Sequence, residues 1–321
     1  MARRILSVPV LVALALVSAS CGSAPEATQQ SAPSRSVVRH PADEPAGTTA
    51  RTATTVRVVA AGDISCAPGM PVTPTQCQQA ATAALARRMK PNLVLTLGDH
   101  QYENNSLAEY RNSYAKSWGT LRPITRPAIG NHEYYTAGAR GYYSYFRNRQ
   151  PGPPGYYRVR AGRWQIFVLN ANCGKVSCAR EAAWLNRQMA AHPSRCSMIT
   201  MHQPRYSSGL EHGNDPSVIP LWRAAYKHRN DVVLAGHDHD YERFKRMDAV
   251  GHLRPTRGMI QFVSGAGGRN LYHLGTRKYG SAYYQARQFG VLRIDLRPRS
   301  FTWAFRAING RLLDTGSRAC L

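Results

Sequence analysis

Five short apolar runs in this chain each stop at a loop that opens with glycine, aspartate, asparagine or histidine. Val56 to Ala61 ends at Gly62-Asp63, Asn92 to Leu97 at Gly98-Asp99, and Ile124 to Ile129 at Gly130-Asn131-His132-Glu133. Met198 to Met201 ends at His202, and Val232 to Ala235 at Gly236-His237-Asp238-His239. Runs of this length, rich in β-branched residues, read as buried strands. Between them, residues 78–89, 180–191 and 217–226 read as helices, the second with Trp184, Leu185 and Met189 at helical spacing. Strands alternating with helices build a parallel sheet, and the chemistry of such sheets gathers at the carboxyl ends of the strands. Here each of those ends carries a side chain able to bind a metal.

Farther along, residues 163–169, 258–263, 290–296 and 301–307 alternate or run apolar as strands do. They predict a second sheet packed on the first with helices outside both, an α/β/β/α sandwich of two mixed sheets. No repeat of 20 to 50 residues breaks the pattern, so the folded part reads as one catalytic domain over residues 55–321.

Two cations held about 3.5 to 4 Å apart need a shared anionic bridge and hard or borderline oxygen and nitrogen donors around each. Asp63, Asp99, Asn131, His202, His237 and His239 supply such a set, with Tyr102 as one more oxygen donor. Each alone has an ordinary explanation: an aspartate after glycine serves a turn, and an asparagine tolerates a left-handed backbone. The conjunction at five strand ends is what points to a metal pair.

These blocks resemble the calcineurin-like metallophosphoesterases, and within them the purple acid phosphatase branch, whose motifs run G-D-x-G, G-D-x-x-Y, G-N-H-[DE], V-x-x-H and G-H-x-H. The corresponding stretches are Gly62-Asp63-Ile64-Ser65, Gly98-Asp99-His100-Gln101-Tyr102, Gly130-Asn131-His132-Glu133, Ile199-Thr200-Met201-His202 and Gly236-His237-Asp238-His239. Ser65 replaces a glycine and Ile199 a valine; Ser65 also stands where commoner members of the superfamily carry a histidine ligand. The resemblance spans about residues 56–310. It implies the four-layer metallophosphoesterase fold and two metal ions, one bound by Asp63, Asp99, Tyr102 and His239, the other by Asp99, Asn131, His202 and His237, with Asp99 shared. A phenolate ligand favours Fe(III) at the first position, and Fe, Zn or Mn suits the second.

The implied activity is hydrolysis of phosphate esters, phosphomonoesters first, with two cations neutralising the ester oxygens and lowering the pKa of a bound water toward about 7, so that metal-bound hydroxide attacks. His132 and His212 are the candidates to protonate the leaving oxygen, Glu133 to orient His132, and Arg205 to hold a phosphate oxygen. A phosphodiesterase or nucleotidase on the same site is the alternative. From another class, the chain would be a non-catalytic envelope protein gripping anionic polymers. Gly265-Ala266-Gly267-Gly268 lacks the lysine and hydroxyl residue of a phosphate-binding loop and reads as a tight turn at a strand exit near the metal histidines. Asp240-Tyr241-Glu242-Arg243 reads as a turn supporting the histidine pair.

A net charge of +24, from 42 Lys plus Arg against 18 Asp plus Glu, draws anions toward the surface. No groove-reading motif accompanies it, so the expected partner is a small anionic phosphate ester, without a specific nucleic acid. Arg3 and Arg4 precede an apolar run, Ile5 to Val17, followed by Ser18-Ala19-Ser20-Cys21, which reads as a signal peptide over residues 1–20. Cys21 after the small residues resembles a bacterial lipobox and implies an outward-facing lipoprotein, plain secretion being the alternative; the only membrane contact expected is through that lipid. Residues 21–54 are Ser, Thr, Ala, Pro and Gln with scattered charge and read as a flexible tether. Six further cysteines suit an exported chain with three disulfides from fifteen pairings. Short loops favour Cys66 with Cys77 and Cys173 with Cys178, leaving Cys196 with Cys320.

Overall fold

The computed structural model describes residues 55–321; the leader, Cys21 and the tether lie outside the described residues. Strands β1 (Val56–Ala61), β2 (Leu93–Leu97) and β3 (Thr125–Ala128) run parallel, as their sequences predict. They are joined by β11 (Gly290–Leu296), β12 (Ser300–Ala307) and β13 (Leu312–Ala319), giving a six-stranded sheet in the order β13-β12-β11-β1-β2-β3. The other sheet contains β4 (Tyr157–Ala161), β5 (Trp164–Val168), β6 (Cys196–Thr200), β7 (Val232–Ala235), β8 (Tyr241–Phe244), β9 (Ile260–Ser264) and β10 (Ser281–Gln285). Its order is β10-β8-β9-β7-β6-β5-β4.

The four-layer sandwich is therefore as expected, but the strands divide between the sheets differently. β6 and β7 leave the sheet of β1 to β3, while β11 returns to pair with β1, Val58 facing Ile294, and β12 pairs with β11. Burial explains the layers. Along β1, Val58 and Ala60 face the other sheet in a core with Leu95, Met198, Leu234, Phe262 and Leu292. Val59 and Ala61 point the opposite way, into a core with Ala83 and Ala86 of helix Gln79–Arg88 and with Tyr110, Tyr114, Trp118 and Phe146. Because both faces are covered, these strands read as continuous apolar runs.

On the far side, helices Cys178–Ala191 and Ile219–Lys227 cover β5, β6 and β7 with Leu185, Met189, Leu221 and Trp222. The first is capped by the Ser177 side chain, which accepts from the Arg180 amide at 3.3 Å. Three disulfides close, Cys66–Cys77, Cys173–Cys178 and Cys196–Cys320, the last tying the C-terminal strand to β6. Strands β4, β10 and β13 were not expected from the sequence: all three are sheet edges, and their partly exposed faces dilute the apolar pattern. Residues 241–243, read as a turn, instead begin β8.

Candidate metal centre

The strand ends of both sheets meet at one place. Asp63 and Asp99 follow β1 and β2, which are neighbours in register, and Asn131 follows β3. His202 leaves β6 and His237 leaves β7 from the other sheet, fastened by the Gly236 amide donating to the His202 carbonyl at 2.9 Å. The turn at Gly265–Gly268 closes against this junction, its Gly267 amide donating to the Gly62 carbonyl at 3.1 Å. Asp63, Asp99 and His237 have φ of 60°, 46° and 73°. Left-handed backbone at a non-glycine residue costs about 1 kcal/mol or more and persists where surrounding structure fixes it. Gly98, at φ 86°, precedes Asp99 because a Cβ there would meet His202 Nδ1 at 2.5 Å.

Backbone amides assign the carboxylate oxygens. The His132 amide donates to Asp99 Oδ1 at 2.9 Å and leaves Oδ2 facing inward; the His237 amide donates to Asp63 Oδ2 at 2.9 Å and leaves Oδ1. Two groups of donor atoms result. Around Tyr102 Oη lie His239 Nε2 at 2.9 Å, Asp63 Oδ1 at 3.0 Å and Asp99 Oδ2 at 3.1 Å. Around His202 Nε2 lie Asn131 Oδ1 at 3.0 Å, His237 Nδ1 at 3.1 Å and Asp99 Oδ2 at 3.2 Å. Asp99 Oδ2 belongs to both.

The outer nitrogens of two imidazoles are already used. His202 Nδ1 donates to the Leu97 carbonyl at 2.7 Å, and His239 Nδ1 to Asn270 Oδ1 at 3.0 Å, an assignment of tautomer that turns each Nε2 lone pair inward. Each group thus offers at most one proton to several lone pairs, a surplus of acceptors that a cation satisfies and a hydrogen-bond network does not. The donors are carboxylate, phenol, amide and imidazole with no thiol, a set that fits hard and borderline cations such as iron, zinc or manganese.

The electrostatics carry the same message. Burial alone would raise Asp99, yet His202, His132 and His237 hold it well below the usual carboxylate range. Burial would lower His202, but Asp99 pushes it up to about 10, so without a cation a proton takes the place on Nε2 that a metal ion would fill. Tyr102 is driven well above its ordinary value by burial and then by Asp63 and Asp99, so phenolate at this position requires a strong Lewis acid. His237 is pulled well below by burial and by the neighbouring His202.

His132 lies over this cluster, its ring 4.4 Å from that of Tyr102, its Nδ1 on the Glu103 carbonyl at 2.7 Å and its Nε2 4.0 Å from Asp99 Oδ2. His212, on an exposed loop, stacks on His237 with ring centroids 3.8 Å apart. Two expected roles are not seen. Glu133 turns away from the His132 ring into the interior, where its carboxylate accepts from the amides of Asp99, His100 and Gly130 and from His100 Nδ1 and Tyr110 Oη. Arg205 points away from the cluster, its Nε on the Ala249 carbonyl at 3.2 Å and its guanidinium 4.7 Å over Tyr206. Two contributors had no motif to reveal them: Asn270, and Tyr272, whose ring stacks on His239 at 3.8 Å.

Residues 56–241 match the calcineurin-like phosphoesterase family. The sequence is 27% identical over 188 residues to purple acid phosphatase 1 of Ipomoea batatas, covering 51% of this chain and 39% of that protein. It is 27% identical over 187 residues to a phosphoenolpyruvate phosphatase of Allium cepa, covering 51% of this chain and 38% of that one. Each match therefore spans less than half of the relative's length. Among solved structures, a purple acid phosphatase from yellow lupin superposes with a TM-score of 0.69 at 16% identity, over 83% of this chain and 54% of the lupin chain. GAP50 of Plasmodium does so with 0.61 at 13% identity, over 83% and 89%. At such identities these two superpositions establish the fold.

Proposed function

Because the chain belongs to the calcineurin-like phosphoesterase family, we propose that it is a phosphoric ester hydrolase that works with two metal ions and takes phosphomonoesters as its first substrates. The observation that carries the reading is Asp99 Oδ2, the one carboxylate oxygen shared by two acceptor-rich groups. Asp63, Asp99, Tyr102 and His239 would hold one ion, with Fe(III) suited to the phenol; Asp99, Asn131, His202 and His237 would hold the other, as Fe, Zn or Mn. Bound there, two cations supply neutralisation of the ester oxygens and lower the pKa of water.

The chain's own residues do the rest. The amides of His132 and His237 fix the rotation of both carboxylates, and the Leu97 carbonyl and Asn270 fix the imidazoles of His202 and His239, so the site is organised before substrate arrives. His132 keeps Nε2 toward the cluster because Nδ1 is bound to Glu103, and that nitrogen can carry a proton to the leaving oxygen. His212, stacked on His237 at the mouth, is placed for the same task on a longer leaving group. The positive surface draws the anionic ester in.

We place this activity outside the cell, on the charge, apolar run and small residues of positions 1–21, with a lipid on Cys21 as the anchor. The test of the enzymatic reading is hydrolysis of p-nitrophenyl phosphate by metal-replete protein. Asp99→Ala and His237→Ala should each abolish turnover while circular dichroism stays that of the parent; turnover within twofold of the parent in either variant refutes the assignment.

A further inference from the structure

The glycine turn over residues 265–268 delivers Arg269 to the rim of the donor cluster, and its backbone is pinned there from two sides. Toward the helical layer, Thr82 Oγ1 donates to the Gly267 carbonyl at 2.6 Å, and the amides of Gln78 and Cys77 donate to the carbonyls of Gly268 and Arg269 at 2.8 and 3.0 Å. Toward the cluster, the Arg269 amide donates to the Asp63 carbonyl at 3.0 Å. The guanidinium then lies 5.4 Å over the Tyr102 ring, and its Nη2 donates to Glu103 Oε1 at 2.6 Å. Among the described residues Glu103 is the one carboxylate within ion-pair distance of it.

Glu103 matters through its main chain. Its carbonyl accepts from His132 Nδ1 at 2.7 Å. The His132 ring sits between those of Tyr102 and Tyr135, with centroids 4.4 and 4.5 Å away. Ring contacts of that kind tolerate a slide or a half-turn of the imidazole, whereas a hydrogen bond at Nδ1 decides which nitrogen faces the cluster. The carbonyl that makes this bond belongs to an exposed residue, and a carbonyl is only as fixed as the segment that carries it. Arg269 ties that segment to the pinned turn. The link runs from the turn through the guanidinium and Glu103 to the imidazole, each step a contact of definite length.

We infer that Arg269 is a positioning residue for the proton donor His132, acting through Glu103. This rests on the proposed phosphoesterase reading. As the ester bond between phosphorus and the leaving oxygen breaks, that oxygen keeps the bonding pair and takes the proton from His132 Nε2, while the proton on Nδ1 stays on the Glu103 carbonyl. An alkoxide needs that proton to depart, and a nitrophenolate does not. A loosened donor therefore penalises alkyl esters far more than nitrophenyl esters.

The test measures turnover of glycerol 2-phosphate and of p-nitrophenyl phosphate by metal-replete parent, Arg269→Met, Glu103→Ala and the double variant. Each single variant should lower the ratio of the first rate to the second by about tenfold, and the double variant by about the same factor, because both changes cut one link. All three should melt within about 3 °C of the parent, since a half-exposed ion pair adds little to stability. Nitrogen NMR of zinc-loaded protein with the ring neutral should place the His132 proton on Nδ1 in the parent and share it between the two nitrogens in the variants. Equal losses on both esters, effects of the two changes that multiply, or a tautomer unaltered in both variants overturn the positioning role and leave the phosphoesterase reading standing. A parent active on p-nitrophenyl phosphate alone has no proton donor for Arg269 to position and overturns it as well. A parent inert toward both esters strikes at the phosphoesterase reading instead, and the tautomer in the variants then decides the positioning by itself.

Discussion

Glu133 offers the sharpest perturbation of the site without touching an inward-facing donor. Its side chain is fully buried and accepts five hydrogen bonds: Oε1 from the His100 amide at 2.9 Å, His100 Nδ1 at 2.8 Å and Tyr110 Oη at 3.2 Å, and Oε2 from the Asp99 amide at 3.1 Å and the Gly130 amide at 2.6 Å. One carboxylate thus clasps the loop after β2 to the loop after β3, the two that carry Asp99 and Asn131. Replacement by alanine leaves three buried amides and a buried imidazole without their acceptor. Removing one partner of a buried, hydrogen-bonded charge costs about 3–5 kcal/mol, and in a domain of this size about 1 kcal/mol moves Tm by about 2–4 °C. Glu133→Ala should therefore melt about 6–20 °C below the parent. Glu133→Gln keeps the shape and one acceptor oxygen and should fall between the two. Because the loops carry the shared carboxylate and the amide donor, metal affinity should drop by about 10- to 100-fold in the glutamine variant. Calorimetric melting of metal-stripped protein, followed by metal titration of each variant, reads both effects. A loss in Glu133→Ala of less than about 1 kcal/mol, or unaltered metal affinity in Glu133→Gln, would contradict the reasoning.

Burial pushes Glu181 up to about 8, its Oε1 accepting from the Asn170 amide at 2.7 Å while Oε2 has no partner. A raised carboxyl contributes its full stability below about pH 4.5 and loses it as pH rises through about 8. Glu181→Gln should therefore gain stability over the parent, by about 1–3 kcal/mol, at pH 9 and little at pH 4.5, as urea melts at the two pH values will show; an equal difference at both would argue against the buried acid. The disulfides should rank by the loop they close. Loss of Cys196–Cys320, which spans 124 residues, should cost about 4–5 kcal/mol, and loss of Cys173–Cys178, which spans 5, about 2 kcal/mol. Serine double mutants measured by denaturant unfolding test that order, and a reversed ranking removes the loop argument.

The sequence exposes the parts of this protein that are buried on both sides or that end at a polar side chain. β1, β2 and β7 are nearly continuous apolar runs because a sheet covers one face and helices or aromatic segments the other, so period and composition both mark them. Asp63, Asp99, Asn131, His202 and His237 are legible for a related reason: each follows such a run within a residue or two, and the glycine before Asp99 is required by the approach of His202. Edge strands β4, β10 and β13 are hidden because half of each faces outward and reads as loop. The division of strands between sheets is hidden because β6 and β11 both read simply as strands and local patterns carry no record of pairing partner. Glu133 illustrates a further limit: adjacency to His132 suggested an orienting role, while the local 3₁₀ turn over His132–Tyr135 sends the two side chains in different directions. Asn270 and Tyr272 reach His239 across 31 and 33 residues, and only the fold brings them there.

Elemental analysis of natively purified protein, read together with its visible absorption spectrum, tests the metal pair most directly. The account predicts about two ions per chain, a tyrosinate-to-iron band if Tyr102 binds Fe(III), and loss of both the band and most of the metal in Asp99→Ala. Protein that hydrolyses phosphate esters at full rate with far less than one ion per chain, or an Asp99→Ala variant that retains the parent's metal content, would contradict it.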